Sequence, residues 1–180
     1  MPDQIGSGYA RQAGSDEPNR NVLQEMKEKR VIRWLPAVIC MAVIFAFSAQ
    51  NGEESGEVSS GFLSMLLSLI PKEWLDPDGS TKVLIHFLVR KAAHFSVYAL
   101  LGSSYLFALW RYSVSPALKG VLAVAMSFLY ACTDEFHQGF VAGRGPSFTD
   151  VLIDSSGAAA AVGLIFLFLL LRKKAINNKD

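Results

Sequence analysis

Four apolar runs constrain this chain more than any other feature: Trp34–Ala49, Ala92–Trp110, Ala117–Thr133 and Val151–Leu171. A helix that crosses a bilayer needs about 20 predominantly apolar residues, with roughly 17–25 the usual range. The second and fourth runs meet that length directly. The first and third fall slightly short and must borrow interfacial residues. Arg33 and Lys119 suit this, because a long basic side chain can lay its stem in the apolar zone and keep its charge in the head groups. Trp34, Trp110 and Tyr112 stand at run ends, where an aromatic belt would place them. Charged residues are only 18% of the 180, too few to cover a soluble domain of this length. With no water in the bilayer core, each run must satisfy its own backbone hydrogen bonds, which makes it a helix. The expected fold is an all-α integral membrane protein, a four-transmembrane-helix bundle.

The remaining residues divide simply. Residues 1–30 form a polar tail with scattered glycines and charge, and its first twenty residues read as disordered. Residues 31–171 form the four-span membrane domain, and residues 172–180 a basic tail. The first run is not read as a signal peptide, because 33 residues precede it, too many for a normal amino-terminal region. Gly61–Ile70 is apolar but too short to span, so a re-entrant or interfacial helix is expected there. Asp76-Pro77-Asp78-Gly79 reads as a turn, and Val83–Val89 as a backward extension of the second span. Cys40 and Cys132 both lie in apolar runs and read as free thiols. No basic stripe with interleaved aromatics occurs, so nucleic acid is not an expected partner.

Orientation follows from the Lys and Arg residues that flank the spans. Lys27, Lys29, Arg30, Arg33, Arg111, Lys119, Arg172, Lys173, Lys174 and Lys179 fall on one side. Lys72, Lys82, Arg90, Lys91 and Arg144 fall on the other, ten against five. The expectation is a multi-pass protein of the plasma membrane with both termini cytoplasmic. Arg90 and Lys91 then stand on the outer side against the rule, which singles them out.

The spans alternate in direction, so polar residues at their outer ends converge. Span two carries Arg90, Lys91, His94 and Tyr98, span three ends on Asp134, Glu135, His137 and Gln138, and span four opens with Asp150 and Asp154. Ionisable residues at membrane depth are expensive and mark a functional site by default. At about 100° per residue, Arg90, Lys91, His94 and Tyr98 share an arc of about 100°. Asp150, Asp154, Gly157 and Ala161 share a narrower stripe whose lower part is small enough to admit another helix. Glu135 points about 100° away from Asp134, so the two cannot both face one pocket. Ser147-Phe148-Thr149-Asp150 fits a capping box at the start of span four. Asp154, one turn deeper, is beyond capping. A salt bridge to Arg90 or Arg144 is its structural alternative. Arg144, in Gly143-Arg144-Gly145-Pro146, could clamp a phosphate or carboxylate in fork geometry.

Residues 90–102, RKAAHFSVYALLG, and residues 134–163, DEFHQGFVAGRGPSFTDVLIDSSGAAAAVG, resemble the VanZ-like membrane proteins. Phe47-Ser48-Ala49-Gln50 looks like that family's first conserved element, and the resemblance runs from about residue 34 to 171. Two positions depart from the family pattern. Val97 stands where glutamate is frequent, and Ala142 stands where proline is usual before Gly143-Arg144. The founding member is associated with low-level resistance to teicoplanin, a lipid-tailed glycopeptide. The resemblance thus implies a cell-envelope protein that binds or acts on an amphiphilic molecule, a lipid phosphate or lipoglycopeptide, and contributes to glycopeptide resistance. In a catalytic version His94 or His137 is the base, Asp154 and Glu135 orient it, and Arg90, Lys91, Tyr98, Asp134, Gln138, Arg144 and Asp150 bind substrate. The same histidines and carboxylates can equally hold a divalent metal. A small transporter or proton-coupled relay, and a non-catalytic structural protein held by a salt-bridged knot, are the alternatives.

Overall fold

The computed structural model describes residues 25, 28–49, 80–142 and 145–178. The polar tail up to residue 24, the expected interfacial helix at Gly61–Ile70, the turn at Asp76–Gly79 and Arg144 lie outside them. Four helices follow in chain order: α1 (Leu35–Ser48), α2 (Ser80–Leu109), α3 (Pro116–Gln138) and α4 (Phe148–Asn177). All four spans are long and apolar enough to cross a membrane, over Glu28–Ser48, Phe87–Leu109, Pro116–Gln138 and Phe148–Asn177. The first span begins before Trp34 because helical residues 28–32 precede a turn at Arg33-Trp34. Pro36 then sits in the first turn of α1, where its missing N–H is no loss. The third span gains its length the same way: Ser115 Oγ accepts from Leu118 N at 3.2 Å and Pro116 opens the helix. As expected, α2 runs back past Val83 as one long helix.

The chain is therefore an all-α membrane bundle. Its outward faces carry large apolar side chains, with Leu164 65% and Phe168 64% exposed, a surface suited to lipid rather than water. The helices alternate in direction. One end of the bundle, the upper, is where α1 and α3 finish and α4 starts. α2 packs on α4 and α3, α3 on α4, and α1 rests against α2 and α3. Leu101, Tyr105, Leu106, Ala123, Ala131, Ala158 and Val162 fill the interior.

Small residues set the α2–α4 distance. A Cβ added to Gly102 would lie 2.8 Å from the Ala158 Cβ, and one added to Gly157 would collide with the Phe95 carbonyl oxygen. This is the close approach expected from the small part of the span-four stripe. The lower end is closed by basic and aromatic groups. Arg33 Nη1 donates to Phe107 O at 3.3 Å, and its guanidinium carbon lies 4.4 Å from the Phe107 ring centroid. Trp34 Nε1 donates to Tyr112 Oη at 3.3 Å. Lys119 Nζ donates to Trp110 O at 3.2 Å, supplying one of the carbonyls that α2 leaves unpaired at its end. Cys40 and Cys132 are free.

Candidate functional site

At the upper end three helices bring ionisable groups to similar depths. At ~1.5 Å per residue, His94 lies about 10 Å below Phe87, Asp154 about 9 Å below Phe148 and Asp134 about 6 Å below Gln138. One ligand-type atom from each of His94, Asp134 and Asp154 lies within 4.8 Å of the others. His94 Nδ1 is 3.6 Å from Asp154 Oδ1, too long for a hydrogen bond but within ion-pair range. Asp154 is 0% exposed, and neither carboxylate oxygen has a hydrogen-bond partner among the described residues. Gln138, one turn after Asp134, donates Nε2 to Asp134 Oδ2 at 3.1 Å and fixes that carboxylate.

Tyr98, one turn below His94, is also 0% exposed. Its hydroxyl has no partner among the described residues and shares its electrostatic surroundings with Asp134 and Asp154. Its ring centroid lies 6.4 Å from that of Tyr130. Tyr130 in turn donates to Met41 O at 2.6 Å, tying α1 to the floor of the site. Two ionised carboxylates at this separation repel by roughly 3–4 kcal/mol at an effective dielectric constant near 20. The arrangement therefore draws in positive charge: a proton, an imidazolium or a cation.

Lys91 and Asp150 form an ion pair at the rim, 20% and 16% exposed, which ties α2 to α4. The expected capping box is not formed. Ser147 is the N-cap of α4, but its side chain makes no capping bond. The Ser147 N–H that a capping-box acid would accept goes instead to Glu135 Oε2 at 2.8 Å. With its capping role taken, Asp150 is available to Lys91. Glu135 is 4% exposed and faces the start of α4, while Asp134 faces His94, as their angular offset requires. Glu135 still lies within electrostatic reach of Asp134, Asp150 and Asp154.

Not every candidate joins the cluster. His137 packs its ring on Phe45 of α1, centroids 4.7 Å apart, and its Nδ1 is buried without a partner among the described residues. It belongs to the α1–α3 seam. Arg90 makes no ion pair among the described residues, so of the two bridges that would be Asp154's structural alternative the one to Arg90 is not formed, and His94 stands nearest instead; Arg144 lies outside the described residues. Two supporting residues were legible in the sequence, though not as members of the site. Tyr130 shares one side of α3 with Asp134, His137 and Gln138, one turn before Asp134. Gly157 belongs to the small part of the span-four stripe, and only its particular contact, the Phe95 carbonyl of another helix, has no local signal. A separate apolar groove of about 830 Å³ runs along α3 and α4, lined by Gly120, Val124, Phe128, Ser155, Ala159 and Gly163 among others.

The fold and the cluster together define a polytopic membrane protein with an acid-rich cluster buried at one end of its bundle. A family model described as VanZ/LLP1 matches residues 33–170, most of the chain. The chain belongs to that family. No curated protein and no solved structure matches it.

Proposed function

We propose that this protein binds an amphiphilic molecule of the cell envelope, with the polar head in the His94–Asp134–Asp154 pocket and the apolar part along the bundle. The observation that carries this reading is Asp154, fully buried at membrane depth with no hydrogen-bond partner among the described residues. A carboxylate so placed is hard to account for as scaffold. Two features support an amphiphile over a small polar solute. The pocket lies within the apolar length of three spans. The α3–α4 groove also reaches Ser155, one residue past Asp154, and its apolar lining and volume of about 830 Å³ suit an acyl chain. Lipid phosphates, held against Asp134 and Asp154 through a bridging cation or proton, and lipid-tailed glycopeptides are the proposed classes, and tolerance to teicoplanin is the proposed phenotype in keeping with the family. His94 and Asp154 also form a base and an orienting acid, which would serve if the bound molecule is transformed. Lys91 and Asp150 hold the rim.

A proton relay fits less well. Below the pocket, the hydroxyls of Ser103, Ser104 and Ser127 are turned back onto carbonyls of their own helices. The Lys and Arg that flank the spans, including the lower-end group of Arg30, Arg33 and Lys119, support a pocket at the outer face of the plasma membrane with both termini cytoplasmic. A reporter fused after Lys174 tests that placement. It reads as cytoplasmic if the assignment holds and as extracytoplasmic if it fails. The function is tested by profiling lipids and cell-wall precursors, with teicoplanin tolerance, in cells carrying the wild type, Asp154→Asn or no protein. The expected result is a lipid or lipid-linked class that changes with the wild type alone. Profiles and tolerance that are identical in all three would contradict the proposal.

A further inference from the structure

We infer that His94, Asp134 and Asp154 form a binding site for one first-row divalent cation of the zinc or manganese type. This deepens the proposed head-group pocket, and it rests on that reading only for what fills the open coordination position.

The donor set is the first argument. One imidazole nitrogen and two carboxylate oxygens, one from each of three helices, lie within 4.8 Å of one another. Metal–ligand bonds of ~2.1 Å at a tetrahedral angle set ligand atoms about 3.4 Å apart. His94 Nδ1 and Asp154 Oδ1 are 3.6 Å apart, close to that edge. Asp134 needs only a side-chain adjustment to close the triangle. An imidazole with carboxylates suits zinc or manganese better than magnesium or calcium, which prefer oxygen alone.

Charge is the second argument. Glu135 and Asp154 lie within electrostatic reach of each other and of both Asp134 and Asp150, and among the described residues only Lys91 is ion-paired to any of these acids besides His94. A dipositive ion would offset this excess where a neutral ligand would not.

The third observation stands apart from the acids. The Tyr98 hydroxyl, one turn below His94, is fully buried within electrostatic reach of Asp134 and Asp154 and has no partner among the described residues. Three protein ligands leave a coordination position for water or a head-group oxygen, as in zinc sites that act on ligands, and Tyr98 supplies a donor beside it. Gln138 holds Asp134 from behind, the role outer partners play for ligating carboxylates.

The experiment uses the full chain purified in detergent, stripped with chelator, then dialysed against Zn²⁺ or Mn²⁺. Metal per chain is read by elemental analysis and the thermal midpoint by dye-free unfolding. The wild type and Leu164→Ala, an exposed position outside the pocket and the groove, are expected to retain one equivalent and to gain thermal stability on metal return. His94→Ala, Asp134→Asn and Asp154→Asn are expected to retain less than a tenth of that and to gain nothing. Wild-type protein that takes up no stoichiometric zinc or manganese overturns the inference without any variant, so a misfolded mutant cannot rescue it. Equal metal in the wild type and all three ligand variants also overturns it. Binding of anionic-lipid vesicles by the stripped wild type separates the two readings. Lipid binding without metal uptake sinks the cation site and leaves the pocket, and metal uptake without lipid binding does the reverse.

Discussion

Gly157 sets the geometry of the pocket without touching a ligand, and its replacement by alanine gives the sharpest steric prediction. A Cβ at this position collides with the Phe95 carbonyl oxygen and lies 3.0 Å from the Phe95 carbonyl carbon and 3.1 Å from its Cα. These are backbone atoms of α2, so no rotamer change relieves the contact. Carbon pairs prefer ~3.5–4.0 Å, so α2 and α4 must part by about 0.5–1 Å at this level. Phe95 follows His94, and Gly157 lies one turn below Asp154. A rigid separation of that size opens the 3.6 Å His94–Asp154 distance to about 4.1–4.6 Å. Overpacking of this kind typically costs about 1–3 kcal/mol. Gly163 on the same helix is the control, because a Cβ there meets nothing within 4 Å. Gly163→Ala should be neutral, or stabilising by up to ~1 kcal/mol through helix propensity. Thermal unfolding of the purified variants in detergent, read by loss of the monodisperse peak in size-exclusion chromatography, measures both. Gly157→Ala should lower the midpoint clearly and weaken pocket ligands at least tenfold. A Gly157→Ala protein as stable as Gly163→Ala would refute the close packing of α2 on α4 and, with it, the assembled triad.

Other residues give independent checks. Glu135→Ala should destabilise by about 1–3 kcal/mol, because it strands the Ser147 N–H, whereas Glu135→Gln, which still offers an acceptor, should recover most of that in the same unfolding assay. Lys91→Ala, Asp150→Asn and the double variant should form a thermodynamic cycle with a coupling of about 0.5–2 kcal/mol. A coupling of zero would remove the rim pair from the account. Tyr98→Phe should leave stability unchanged or slightly raised, since the hydroxyl has no protein partner among the described residues, while weakening head-group binding in a vesicle assay. Tyr130→Phe should lose about 1 kcal/mol with the Met41 hydrogen bond, measured by thermal unfolding.

Much of the architecture was legible because bilayer physics leaves few options. A run of about twenty apolar residues must be a helix, and Pro116 after Ser115 marks the start of α3 by itself. The rotation of each helix was only partly legible. On α2, the spacing of His94 and Tyr98 put both on one side, and both point inward. On α3, the about 100° offset of Asp134 and Glu135 separated them correctly without saying where Glu135 would go. Its partner, Ser147 N–H, is set by how the loop after α3 enters α4, which is a tertiary fact. The same fact undid the capping box, since local pattern cannot see a competing acceptor twelve residues away in sequence. His137 shared a stripe with Asp134 yet faces Phe45, because α3 is wide enough to serve two neighbours at once. Depth was readable and azimuth only in part, which is why His94, Asp134 and Asp154 come together while His137 and Arg90 do not join them.

The claim on which the rest depends is that Asp154 lies in a ligand pocket and not in a structural knot. Native mass spectrometry of the protein released from membrane nanodiscs tests it directly, comparing the wild type, Asp154→Asn and Leu164→Ala, an exposed position outside the groove. The account predicts a retained amphiphile on the wild type and on Leu164→Ala that is lost from Asp154→Asn, with the Asp154→Asn protein still monodisperse. An unchanged complement of bound molecules in Asp154→Asn, together with a lowered unfolding midpoint, would contradict it and return the cluster to a purely structural role.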